Sequence, residues 1–151
     1  MKTALAVTLA LLLAAQAAAA DTYYLVDLGK HAFMIPASTI RDIGPGRKAA
    51  DAYEVGFLDA ELSKFEVDCG AREARVVARS QYLLQSEVLK QTGTTEGTGW
   101  LALQHNPQIE RIYNFICYWP KVDPDVESAD FADDAAMVTS LSESILDMPA
   151  R

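Results

Sequence analysis

Cysteine, histidine and positive charge are all scarce in this chain of 151 residues. It has two cysteines, two histidines and 13 lysines and arginines against 21 acidic residues. The shortage of cations excludes nucleic acid as a partner, because that affinity is built from Lys and Arg contacts to phosphate. It equally disfavours an anionic membrane surface. Two thiols and two histidines, His31 and His105, fall short of a structural zinc site and lack ligand spacing. C-x-x-C is missing, and with it the usual dithiol redox motif. There is no G-x-S-x-G nucleophile elbow, no phosphate-binding loop ending in G-K-[S/T], and no D-x-[DN]-x-[DN]-G calcium loop. Ser38, Ser80 and Ser86 therefore have no catalytic context. No catalytic residue, metal or cofactor is assigned, and an enzyme is the least favoured class.

What is present begins at Met1. A short positive segment (Met1, Lys2) leads into an uncharged Leu- and Ala-rich run from Ala4 to Ala15, then small residues from Ala17 to Ala20, then Asp21. That order is the layout of a cleavable export signal over residues 1–20. A bilayer span needs about 20 apolar residues, a length reached here only by counting weakly apolar alanines and Gln16. Cleavage takes Lys2 from the basic residues and leaves all 21 acidic ones, so the mature net charge is −9. The remaining 131 residues suffice for one domain with its own core. The expected location is periplasmic or secreted, with no lipid-anchor cysteine near the cut and no membrane insertion after cleavage.

Both cysteines, Cys69 and Cys117, lie in the exported part, where an even pair reads as a disulfide. Residues 22–28 and 32–38 read as a hairpin turned at Gly29-Lys30, with His31 beside that turn. A Gly44-Pro45-Gly46 turn precedes a strand over 49–58. Over 62–69, Phe65, Val67 and Cys69 alternate with Lys64, Glu66 and Asp68, so Cys69 points into the core. Residues 72–79 return antiparallel, with Ala74, Val76 and Ala78 inward and Arg75 and Arg79 together outward. Residues 92–99 (TGTTEGTG) read as a flexible loop before a short strand at Trp100.

Asn106-Pro107 opens the best-marked helix, Asn as N-cap and Pro at the first helical position. Ile109, Ile112, Tyr113 and Ile116 form its apolar stripe, and it ends before Pro120. Residues 120–151 are an acidic tail, carrying eight acidic residues and only Lys121 and Arg151 as cations in the final 31. They are read as a linker over 121–128 and a weak helix from Ala129 to Met148. The fold expected is α+β: an antiparallel sheet of about five or six short strands, a C-terminal helix packed on it, one disulfide and an acidic C-terminal tail.

Val67-Asp68-Cys69, Gly70-Ala71-Arg72, Arg75-Val76-Val77, Trp100, Pro107 and Cys117, in that order behind an export signal, resemble the surface-adhesin protein E family of proteobacteria. The resemblance covers roughly residues 22–118, within a domain placed at 21–119. It implies an antiparallel sheet, a packed helix and one disulfide, and for the family's namesake host-matrix binding as a dimer. Gln104-His105-Asn106-Pro107 departs from the family's Pro-x-Ser helix start.

Any interaction surface is expected at exposed aromatics and cations. Tyr23 and Tyr24 are strand neighbours and face opposite ways; one of Tyr118 and Trp119 is likewise turned outward. Tyr and Trp are enriched at interfaces, so Tyr23, Tyr24, Trp119, Arg75 and Arg79 are the candidates for contact with a protein partner or a second copy. The plainer alternatives are edge-strand packing for the aromatics and pairing of Arg75 and Arg79 with Glu66, Asp68 and Glu73. Asp133 and Asp134 read as a solvated acidic face. The function expected is an exported non-enzymatic envelope protein, a binding or adhesion module, with a ligand-free structural or stress protein as the alternative.

Overall fold

The computed structural model describes residues 20–28, 31–103, 106–121, 123 and 125–146. Residues 1–19 of the expected export signal, the expected Gly29-Lys30 turn, His105 and Met148 lie outside the described residues.

Period-2 patterning builds the long hairpins. Strands β1 (Asp21–Leu28), β2 (Ala32–Pro36), β3 (Arg41–Gly44), β4 (Arg47–Val55), β5 (Asp59–Asp68), β6 (Glu73–Gln85), β7 (Val88–Glu96), β8 (Leu101–Ala102) and β9 (Ser128–Phe131) form one antiparallel sheet. Helices α1 (Pro107–Tyr118) and α2 (Asp134–Leu146) complete the α+β fold. The main strand order is β7-β6-β5-β4-β2-β1-β9, with β3 on β4 and β8 on β6. Nine strands are thus found among the described residues where five or six were expected. The additional ones include β3, β9 and β7, which takes in most of the expected 92–99 loop because Thr94 and Thr95 are β-branched and pair along β6.

Two apolar clusters lie on opposite faces, as alternation along each strand requires. Phe33, Ile35, Ala50, Ala52, Phe65 and Val67 meet the predicted stripe of α1, of which Ile112, Tyr113 and Ile116 are buried. Their neighbours Met34, Tyr53, Val55 and Leu62 meet Met137 and Val138 of α2. The acidic segment is therefore half helix and strand packed on the sheet, and β9 begins where the weak helix was expected to begin.

A bulge in β6 decides which residues reach which face. Phe65 pairs with Val76 but Lys64 pairs with Ala78, leaving Val77 as the extra residue. A single inserted residue exchanges the faces of everything beyond it. Ala74 and Val76 lie under α1 as expected, while Ala78 passes to the α2 side. The segment after β7 holds the bulge in place: Thr98 N–H donates to Val76 O at 2.7 Å, and Val76 N–H donates to Thr98 Oγ1 at 3.2 Å. At Gly97 an added Cβ would stand 1.9 Å from Val76 O and 2.4 Å from Val77 O, both backbone atoms. Gly97→Ala is expected to cost about 2 kcal/mol through forced backbone displacement, read as a fall of several degrees in Tm by circular dichroism. An unchanged Tm would show that this approach is not tight.

Helix α1 starts as its sequence dictates. Asn106 Oδ1 accepts the N–H groups of Gln108 and Ile109 at 3.1 and 3.2 Å. At the other end Cys117 is bonded to Cys69, closing 48 residues of chain. Tyr113 OH adds a hydrogen bond to Cys69 O at 3.0 Å. In the β5–β6 turn Asp68 Oδ1 accepts the N–H groups of Gly70 and Ala71. The Ala71 bond, then the Arg47 side chain, hold that carboxyl below its ordinary range.

Helix α2 is anchored by the residues read as a solvated acidic face. Asp133 Oδ1 accepts Ala136 N–H at 2.8 Å, capping the helix. Asp134 takes two tyrosines: Tyr23 OH donates to Oδ1 and Tyr53 OH to Oδ2, each at 2.5 Å. Burial first, and then the bond to Asp134, push both phenols above their ordinary value of 10.0. A raised phenol pKa favours the neutral, folded form, so this contribution to stability is complete below pH 10 and is lost as pH rises beyond it. Absorbance titration should show Tyr23 and Tyr53 ionising only well above the exposed tyrosines, together with loss of helix signal. Ionisation of both at the ordinary pH would refute the clamp. Ser142, also buried, donates to Gly56 O at 3.3 Å and accepts Leu58 N–H at 3.4 Å, tying the far end of α2 to the β4–β5 turn.

Candidate binding surface

An aromatic cluster lies at the C-terminal end of α1. Tyr24 of β1 lies against Phe115 and Trp119, with ring centroids 5.3 and 5.4 Å apart, and Phe115 and Trp119 are 5.9 Å apart. All three are half-buried. They support one another and leave Tyr118, on the next helical position, 68% exposed. Trp119 is further fixed by Lys48 Nζ, which donates to its carbonyl oxygen at 2.7 Å.

Beside this cluster runs a groove of about 600 Å³ between α1, β1 and the chain after α1. Its apolar floor is Val26, Phe115 and Val126, and Tyr118 forms one wall. Its polar rim has an amide, Asn114, and the cations Arg111 and Lys121, with Asp123 opposite. Arg111 is paired with Asp27, whereas Lys121 makes no ion pair among the described residues. The arrangement offers an apolar slot with donors at its edge. It contains no nucleophile with an adjacent base.

The five surface candidates divide. Tyr24 and Trp119 come together here, with Trp119 as support and Tyr118 as the member turned outward. Tyr23 is 3% exposed and belongs to the α2 anchor, because neighbouring strand residues face opposite ways and α2 covers its side. Arg75 and Arg79 do not form a shared strip, since the bulge at Val77 sends them to opposite faces. Arg75 contacts Glu66 at 2.6 Å and stacks 4.9 Å from the Trp100 ring, over which Arg47 also lies at 5.2 Å. Arg79 faces Glu61 at 3.4 Å. Pairing across the hairpin, the plainer expectation, accounts for Arg75.

Arg111 and Lys121 were not singled out by sequence, and Tyr118 entered only as the alternative to Trp119. The spacing of Arg111, Asn114 and Tyr118 at i, i+3 and i+7 on a capped helix is the signal that places them on one stripe. His31 meets a carboxylate, Glu54, through Nδ1. Among the described residues no three His, Cys, Asp or Glu side chains converge as a metal site would require. Nor is any helix among them long and apolar enough to cross a membrane. Compared with protein-family models, curated proteins and solved structures, the chain matches none of them.

Proposed function

We propose that the chain is an exported, non-enzymatic module of the cell envelope that binds a partner protein through the groove at the end of α1. The observation that carries this reading is Tyr118, a large aromatic, 68% exposed, that lines an apolar slot together with Arg111 and Lys121. Buried aromatic anchors surrounded by polar groups are the usual energetic centre of a protein contact. A partner segment with an apolar anchor and a nearby carboxylate complements the floor and Lys121. The disulfide favours an oxidising compartment, and the resemblance to surface-adhesin protein E supports the same class of function.

Affinity capture from envelope extracts tests it, with wild type and Tyr118→Ala/Lys121→Glu compared side by side. The same proteins should be retained by wild type and lost by the double variant, while both fold alike by circular dichroism. Retention that ignores the double substitution would remove the groove from the binding site. If neither protein retains anything, the binding module gives way to a structural envelope protein. Fractionation supplies the location: recovery in the cytoplasm with the N-terminal residues intact would refute export.

A further inference from the structure

We propose that a second site, the cavity between β6 and the start of α1, binds a small apolar carboxylate with Arg79 holding its head group. The cavity measures about 250 Å³. Phe65, Val76, Leu101, Leu103 and Ile109 supply apolar walls, and Arg79 is among the polar residues that line it. A smaller space of about 130 Å³ also touches Phe65, Arg79 and Ile109, so this arginine lies between two unfilled volumes beneath α1. Apolar pockets with few convergent polar groups are the usual form of a small-ligand site.

Arg79 is loosely satisfied for a cation with a buried nitrogen. Its contact to Glu61, 3.4 Å, is the longest ion-pair contact among the described residues. Among those residues its Nε is the only buried side-chain nitrogen or oxygen without a hydrogen-bond partner. The side chain as a whole is 41% exposed, so an incoming group can reach it. A guanidinium with a loose partner and an apolar chamber beside it matches a carboxylate bearing an alkyl or aryl body. The facing carboxylates are Glu61, which the ligand head would replace, and Glu54, already held by His31. The bulge at Val77 creates this arrangement, since without it Arg79 would share the outward face of Arg75.

The test uses the intact disulfide-bonded protein and a series of straight-chain carboxylates from butanoate to octanoate, followed by calorimetry and by methyl NMR of Val76 and Ile109. Affinity should rise about fourfold per added methylene as the chain enters the cavity. Octan-1-ol should bind at least about tenfold more weakly than octanoate, and Arg79→Gln should weaken octanoate by a similar factor. Tyr118→Ala, at the separate groove, should leave octanoate binding unchanged. Absence of saturable octanoate binding at millimolar concentration would overturn the site. Equal affinity for octanoate and octan-1-ol in the wild-type protein would overturn the role of Arg79, whatever the folding of its variant.

Discussion

Replacing Cys69 and Cys117 together by alanine should lower stability by about 4 kcal/mol, the loop-closure entropy of a 48-residue loop. Two features make this pair's contribution large. The loop runs from the end of β5 through β6, β7 and β8 to the end of α1, so the bond constrains the segment that forms three of the strands and α1 in the unfolded chain. It also ties the helix directly to the strand it covers, beside the Tyr113 hydrogen bond to Cys69 O. For a domain of this size, with a total stability of about 5–15 kcal/mol, such a loss brings the protein close to its unfolding threshold. Urea titration of the oxidised protein and the double alanine variant measures it. A midpoint that does not move would mean that the chain-entropy account fails here, and that the α1 stripe alone holds the helix in place.

A chain ending at residue 127 should lose more than that and fail to fold cooperatively. It would lack β9, which pairs with β1 from Asp21 to Tyr24, and α2, whose Met137 and Val138 are fully buried. Their removal uncovers Tyr23, Met34, Tyr53, Val55 and Leu62 on one face of the sheet. Each large side chain returned to water costs about 1.5–3 kcal/mol, so five of them approach the whole stability of the domain. The same contact can be probed without truncation. Met137→Ala should cost about 2–5 kcal/mol, by transfer of the removed atoms and by the cavity left behind. Cooperative melting of the truncated chain at the wild-type temperature would show that the acidic segment is an appendage. For functional work the consequence is that residues 128–146 cannot be removed to test binding; substitutions at Tyr118 and Lys121 avoid that difficulty.

The elements that were legible in the residues share one property: their signals are local. Asn106, Pro107 and the stripe Ile109, Ile112, Tyr113 and Ile116 specify where α1 starts and which side it buries. Strict alternation at Phe65, Val67 and Cys69 sets the facing of β5. The disulfide followed from cysteine count and the expected compartment, and Tyr23 and Tyr24 were correctly expected to face opposite ways.

What escaped the sequence depends on partners far along the chain. The bulge at Val77 adds one residue without any turn signal, and its effect appears only when β6 is paired with β5 and locked by Thr98. It alone separates Arg75 from Arg79. Polar, threonine-rich residues 92–96 read as loop because their strand character comes from pairing with β6 rather than from burial. Asp134 looked like any solvated acid in an acidic stretch, since the two phenols that claim it lie 111 and 81 residues earlier. Composition and local spacing thus determined the disulfide and α1. Tertiary structure decided which face each side chain occupies and that the acidic segment covers the sheet, because strand register and helix docking are set by contacts between residues that no short window of sequence contains.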